Sequence, residues 1–234
     1  MSENIVTHLG VIMDGNRRWA RKHMLESVMR GHEKGLDTFM NICTWCQDEN
    51  IPYLSVYAFS TENWERSIEE VSSLFKLMEK FFTDEIDTCL ARGIRIKCVG
   101  DLTRLDPEAR ETVRKAEALT AECRDLTVLI ALSYGGRDEI VRAVRRYAEA
   151  LLSENENLGD LNEARFASYL DTAGIPDIDL VIRTGGNQRL SNFFPWQTTY
   201  SEIVFTDTLW PDFTKEELRE ILAYYENIKI NKGK

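Results

Sequence analysis

His8-Leu9-Gly10-Val11-Ile12-Met13-Asp14-Gly15-Asn16-Arg17-Arg18-Trp19-Ala20 is the stretch that decides how this chain is read. Val11, Ile12 and Met13 form the end of a buried strand. Asp14 stands where that strand stops, and Gly15 permits a tight turn or a close backbone approach to a ligand. A helix from about Arg17 to Lys22 follows. Helix N-termini offer free N–H groups and a positive dipole end, and arginines beside them add bidentate phosphate contacts. An open carboxylate suits Mg²⁺, which takes one or two carboxylates together with substrate phosphates. The pattern points to a phosphate and a metal at the C-terminal end of a strand. A strand, an Asx-type turn and a solvated basic helix is the plainer reading of the same residues.

The rest of the chain sets the bounds on that reading. At 234 residues it is long enough for one sizeable α/β core, and 43% hydrophobic residues is ordinary for a globular protein. No apolar run reaches bilayer length and Met1 to Thr7 is polar, so a cytoplasmic protein is expected. A net charge of −10 excludes a general nucleic-acid binder, which would be basic. An acidic chain that binds anions must gather its arginines locally, as at Arg17/Arg18/Arg21/Lys22 and again at Arg183/Arg189. The 5 cysteines, without a secretion signal, read as free thiols. Cys43-Thr44-Trp45-Cys46 falls inside a helical pattern, and no second pair completes a four-ligand zinc site.

Beyond the opening stretch, Gly31-His32 introduces a helix to about Asn50, with Pro52 as its stop signal. Tyr53 to Phe59 reads as a buried parallel strand, followed by the polar segment Ser60-Thr61-Glu62-Asn63-Trp64-Glu65-Arg66. In open α/β sheets, ligands bind at that edge. Ser67 to Arg92 is predicted as one long helix with a wide apolar face through Leu74, Phe75, Met78, Phe81 and Phe82. Such a face is ordinary core, and is also able to form one wall of an apolar tunnel. Ile94–Val99 and Leu126–Ser133 read as strands. Between them, Asp106-Pro107 starts a helix, and after them Tyr134-Gly135-Gly136-Arg137 turns into another, Asp138 to Leu152. Glu163 to Leu170 reads as a short helix. Asp179-Leu180-Val181-Ile182-Arg183-Thr184-Gly185-Gly186 is a strand feeding a glycine turn, with Arg189 and Ser191 shortly beyond. Two arginines, a hydroxyl and consecutive glycines suit a diphosphate, and no G-x-x-x-x-G-K-[ST] pattern offers an alternative phosphate loop. Tyr200 to Phe205 reads as a short strand carrying Glu202, and Lys215 to about Ile228 as the last helix.

His8 to Ala20, Tyr57 to Arg66, Ser133 to Arg137, Asp179 to Ser191 and Tyr200 through Phe213 resemble, in order, the signature blocks of the cis-prenyltransferases, the undecaprenyl diphosphate synthase family. The resemblance implies a single α/β domain over residues 1–234, a mostly parallel central sheet flanked by helices, an apolar substrate tunnel and a homodimer. It implies Mg²⁺-dependent, repeated condensation of isopentenyl diphosphate onto farnesyl diphosphate, giving a long polyprenyl diphosphate such as the undecaprenyl carrier precursor of cell-wall synthesis. Each added isoprene unit exposes five carbons whose burial is worth about 4 kcal/mol, so a growing chain needs a tunnel and then a membrane. Transient peripheral membrane contact through the product is therefore expected.

By the same resemblance Asp14 is the central acid and Mg²⁺ ligand, and Gly15, Asn16, Arg17, Arg18 and Trp19 hold the allylic diphosphate. Ser60, Asn63, Trp64 and Arg66 line the reacting centre and its loop. Arg183, Arg189 and Ser191 grip the diphosphate of isopentenyl diphosphate. Glu202 assists the metal, from the same chain or a neighbouring subunit, and His32 handles a proton or a diphosphate. Several positions depart from the family pattern. Ser133 stands where Asn is usual, Val28 where an Arg is frequent (with Arg30 nearby), Asn187-Gln188 where Glu-His is frequent, and Asn231-Lys232-Gly233 in place of Arg-x-Gly. A non-catalytic partner subunit predicts loss of the first-block acid and the last-block arginines, all of which are present. A Mg²⁺-dependent phosphatase predicts a second Asp two residues after the first, where Asn16 stands.

Overall fold

The computed structural model describes residues 5–153 and 156–228, and the Asn231-Lys232-Gly233 tail lies outside them. Six strands form one sheet: β1 (His8–Ile12), β2 (Tyr53–Ser60), β3 (Ile94–Val99), β4 (Leu126–Tyr134), β5 (Leu180–Arg183) and β6 (Glu202–Phe205). Their order is β3-β4-β2-β1-β5-β6, and every neighbouring pair is parallel. The near-continuous apolar runs follow from that arrangement, because a parallel sheet is covered on both faces. β4 has only Thr127 short of full burial.

Successive strand residues alternate between two apolar cores. Leu9, Val11, Leu54, Val56, Ile130 and Ile182 face one core, shared with helices α2 (Met29–Asp48), α3 (Ile68–Asp84), α5 (Pro107–Leu119) and α8 (Lys215–Asn227). Ile12, Leu129, Ala131 and Val181 face the other, filled by Phe193, Phe194 and Tyr134. The remaining helices are α1 (Asn16–Lys22), α4 (Ile86–Ala91), α6 (Gly136–Leu152) and α7 (Glu163–Ala167). Two of the predicted helix starts carry side-chain caps. Asp106 accepts from Glu108 N and Ala109 N ahead of Pro107, and Thr214 accepts from Glu217 N.

Several boundaries differ from expectation. The long helix over 67–92 is two helices, broken at Glu85. No proline or glycine marks the break. Its cause is tertiary: α3 packs on α2 and α5, whereas α4 packs on β3. Met13 lies beyond the end of β1, and α7 stops at Ala167 rather than Leu170. All the cysteines are free, with Cys43, Cys46, Cys89 and Cys98 buried. Burial pushes the Cys43 and Cys46 thiols up, which keeps them protonated and inert.

Candidate active site

Parallel pairing brings the C-terminal ends of β1 and β5 side by side, with Ile12 opposite Arg183. Asp14 is two residues past that row and meets Arg183 directly. Arg183 Nη2 donates to Asp14 Oδ2 at 3.0 Å, Asn187 Nδ2 to the same oxygen at 2.8 Å, and Arg18 Nη2 to Oδ1 at 3.0 Å. Burial by itself would raise the Asp14 pKa. The Asn187 and Arg183 N–H groups and the Arg18 charge outweigh it and hold the carboxyl below its usual range. Asp14 is thus ionised at neutral pH. Its main chain is also fixed: Thr184 Oγ1 donates to Asp14 O at 2.7 Å and Trp210 N at 3.1 Å.

Gly15 and Gly185 make this convergence possible. Gly15 has φ +121°, and a Cβ there would lie 3.0 Å from the Leu209 backbone. Gly185 has φ +80°, and a Cβ there would lie 2.4 Å from Arg18 Nη2. Arg183 is 5% exposed, and its Nη1 donates to Ser191 Oγ at 2.7 Å and to the Arg189 carbonyl. Its Nε is buried without a partner, a donor left free beside the site.

Below this cluster opens a cavity of about 890 Å³. Its polar end is lined by Asp14, Asn16, His32, Ser60, Asn63, Arg66, Arg183, Arg189 and Ser191. Its apolar end is lined by Leu36 and Phe39 of α2, Leu74, Leu77, Met78, Phe81 and Phe82 of α3, and Val56 and Ile130 of the sheet. The apolar stripe of α3 therefore serves as a cavity wall as well as core. Phe39 and Phe81 meet edge to face at 5.3 Å at that end.

His32 lies in the wall with Nε2 buried and unpartnered. Burial, helped by the nearby Arg66 and Arg17 charges and opposed by Glu70, lowers its pKa to about 4. It is a neutral imidazole at physiological pH, able to accept a proton or donate an N–H. Arg66 pairs with Glu70 at 3.1 Å, and Arg17 reaches the same carboxylate at 3.4 Å. Glu70 thereby holds together two arginines from different parts of the chain.

Some sequence-predicted residues stand elsewhere. Trp64 does not line the cavity: its indole lies in an aromatic box, stacked on Phe75. Trp19 donates Nε1 to Asp212 at 2.6 Å and packs on His23. Arg30, near the position of the arginine absent at Val28, makes a surface pair with Glu33. Glu202 opens β6, level with Leu180 and hence with Leu9. That is three rows short of the Ile12–Arg183 row, about 10 Å along the strands, so one chain does not bring Glu202 to Asp14. Conversely, Asn187, Thr184 and Glu70 belong to the cluster and were not singled out as site residues. Thr184 had a signal, its place between Arg183 and the glycine pair. Asn187 had one too, since it stands where the family frequently has Glu, whereas Glu70 had none without the fold.

Known proteins resemble this chain over most of its length. The family profile for undecaprenyl diphosphate synthase, Prenyltransf, matches residues 12–233. An isoprenyl transferase of Clostridium perfringens is 41% identical over 97% of this chain and 89% of its own length. A ditrans,polycis-undecaprenyl-diphosphate synthase of Micrococcus luteus, (2E,6E)-farnesyl-diphosphate specific, is 40% identical over 95% of this chain and 89% of its own. Lavandulyl diphosphate synthase from Lavandula x intermedia, solved in complex with dimethylallyl diphosphate, superposes with a TM-score of 0.93 at 33% identity, covering 98% of each chain. A structure described as a probable undecaprenyl diphosphate synthase from Campylobacter jejuni gives 0.83 at 36% identity, covering 99% of this chain and 100% of that one. The arginine-bound acid stands at the C-terminal edge of a parallel sheet, above a cavity with an apolar end, and this chain is a prenyltransferase belonging to the undecaprenyl diphosphate synthase family.

Proposed function

We propose that this prenyltransferase condenses isopentenyl diphosphate repeatedly onto farnesyl diphosphate with cis geometry, releasing a long polyprenyl diphosphate of the undecaprenyl class for cell-wall lipid carrier synthesis. The observation that carries the reading is one cavity with an arginine-rich end at Asp14 and an apolar end between α2, α3 and the sheet. Arg183, Arg189 and Ser191 converge on one side of Asp14 and suit the diphosphate of isopentenyl diphosphate. Arg18, on the other carboxylate oxygen of Asp14, and Arg66 and Arg17, gathered on Glu70, suit the allylic diphosphate. Holding the two head groups apart while their carbons meet supplies orientation. Asn63 and His32 face the meeting point from the wall, and neutral His32 is available for the proton lost when the new double bond forms.

Among the described residues no group of three His, Cys, Asp or Glu side chains could hold a metal. Asp14 alone fits Mg²⁺ in the way that ion is commonly bound, by one carboxylate plus substrate phosphates, and its side chain is 28% exposed. When bound, Mg²⁺ stabilises the charge on the departing diphosphate. In this proposal the enzyme is a homodimer, and Glu202 joins the metal only if a partner copy supplies it. No helix among the described residues is long and apolar enough to cross a membrane, in keeping with a cytoplasmic enzyme that meets the bilayer transiently through its product.

The test is incubation of the purified protein with Mg²⁺, farnesyl diphosphate and labelled isopentenyl diphosphate, with products resolved by chain length and Asp14→Ala run beside it. A ladder reaching long products in the wild type and absent from the variant is expected. No incorporation with any allylic starter would refute the reading in favour of a non-catalytic partner subunit, a role against which the Asp14–Arg183 contact already speaks.

A further inference from the structure

The register between β2 and β4 slips twice near the site. Tyr57 pairs with Ala131 and Phe59 with Leu132, which leaves Ala58 as an extra residue on β2. Phe59 pairs with Leu132 and Ser60 with Tyr134, which leaves Ser133 as an extra residue on β4. Bulges of this kind re-aim side chains beside active sites. Here they do so in both directions. Ala58 lines the cavity. Ser133, fully buried and in the left-handed region at φ 50°, sends its hydroxyl to Trp64, whose Nε1 donates to Ser133 Oγ at 3.0 Å.

Trp64 belongs to the short 3₁₀ turn Thr61–Glu65, none of whose residues is buried. Its indole is the part of that turn that reaches into the protein. It stacks on Phe75 at 5.1 Å, meets the edge of Phe59 at 5.1 Å and is covered by the Arg104 guanidinium at 4.9 Å. The opposite side of the same turn presents Asn63 and Arg66 to the cavity. Asn63 is itself tied into the turn, accepting from Ser60 N at Oδ1 and from Arg66 N at its carbonyl, each at 3.1 Å. The front of the turn is tied further by the Ser60 side chain, which accepts from the Asn63 backbone N–H, and by Asn192 Nδ2, which donates to Glu62 at 3.2 Å.

We propose that Ser133 is a positioning residue: its bulged hydroxyl anchors the Trp64 indole and so fixes the turn that presents Asn63 and Arg66 to the substrate. The left-handed backbone explains why a small residue able to hydrogen-bond locally stands there, a conformation that Asn tolerates equally and β-branched residues do not. Only the kinetic part of this proposal rests on the prenyl-transfer reading. The structural part concerns the free protein.

The test is hydrogen exchange over residues 60–66 of the substrate-free protein, joined to steady-state kinetics. Ser133→Gly removes the hydroxyl and eases the backbone. Trp64→Phe keeps the stacking and removes the N–H. Each is expected to speed exchange in the turn about tenfold, the factor one neutral hydrogen bond commands, while β4 and α5 keep their protection. The double variant is expected to match the single ones, because both remove the same bond. Ser133→Asn is expected to restore protection. The KM for farnesyl diphosphate, the substrate whose head group Arg66 faces, should rise in the two single variants with kcat changed far less, since bound substrate reorders the turn. Unchanged exchange in both single variants, multiplying effects in the double variant, or raised exchange with unaltered KM would overturn the proposal. A wild-type protein that shows the exchange pattern but makes no product would instead refute the functional reading and leave the anchor standing.

Discussion

Asp14 competes with the substrate for the same arginines, and removing its charge has a consequence that separates this site from an ordinary ion pair. Asp14 and Arg183 are 3.0 Å apart, with side chains 28% and 6% exposed, and Arg18 holds the other carboxylate oxygen. Breaking a buried pair by removing one partner costs about 3–5 kcal/mol, because the other charge is left stranded. Asp14 keeps partial contact with water, so the loss in Asp14→Asn is nearer about 2–3 kcal/mol. At about 2–4 °C per kcal/mol for a chain of this size, the melting temperature should fall by about 5–10 °C. The stranded charge is Arg183, still bonded to Ser191 and the Arg189 carbonyl and still facing the cavity.

An anion therefore has more to gain in the variant than in the wild type. Without metal, Asp14 repels a diphosphate and occupies two of its guanidinium partners. Isothermal titration with inorganic diphosphate in the presence of EDTA should show Asp14→Asn binding at least about tenfold tighter than wild type, a difference of about 1.4 kcal/mol. The same ligand should recover most of the lost melting temperature. Turnover with Mg²⁺ should nevertheless fall by orders of magnitude. Metal-free diphosphate binding that weakens in Asp14→Asn would refute the argument, since it would mean that Asp14 orders the arginines for the anion rather than competing for them.

Three further outcomes follow from the geometry. His32 takes up a proton near pH 6.5 when unfolded but only near pH 4 when folded, so the unfolded chain binds more protons between those values and stability falls as pH drops from 6.5 towards 4. The loss is up to about 3 kcal/mol at about 1.4 kcal/mol per unit, and urea titrations of His32→Gln should lose that part of the pH dependence. Gly31→Ala places a Cβ 2.0 Å from the Asn16 carbonyl oxygen, where α2 crosses α1, and should cost about 1–3 kcal/mol or more in chemical denaturation. Glu139 is fully buried and accepts the Tyr134 hydroxyl at 2.6 Å, Gln197 Nε2 at 3.1 Å and Asp171 N at 2.9 Å. Glu139→Leu strands these donors at about 1–3 kcal/mol for each one left unpaired, and a denaturation midpoint equal to wild type would contradict the network.

The alternation of apolar runs with glycine and proline stops made the strands and most helices legible, because each is a local pattern. Asp14 and Arg183 were legible for the same reason, as charges placed where an apolar run ends. What failed was whatever depends on how distant segments pack. Nothing local distinguishes Glu85 from its helical neighbours, since the break there is imposed by α3 and α4 packing on different elements. The family resemblance names Trp64 together with Ser60, Asn63 and Arg66, yet a turn has two sides and only the fold says which one faces Phe75. The separation of Glu202 from Asp14 within one chain was not legible either, because its height on the sheet is set by register with Leu180, a property of the pair and not of either strand.

The placement of the chemistry follows from the sheet alone. With every strand parallel, all C-terminal ends share one edge. β1 lies between β2 and β5, so the chain leaving β1 builds outward on one side and, after β4, on the other. At such a switch point the loops after the two central strands diverge and leave a crevice. Asp14 ends one of those strands and Arg183 the other, so the crevice has a negative and a positive wall before any ligand arrives. The apolar wall has a separate origin. α2 and α3 cover one face of the same strands, and Leu36, Phe39, Leu74 and Phe81 extend that face's core inward from the crevice. A charged head held at the sheet edge therefore finds an apolar direction for its tail between those two helices and β2. The amphipathic shape of the cavity is thus a consequence of where a parallel sheet must be polar and where it must be covered.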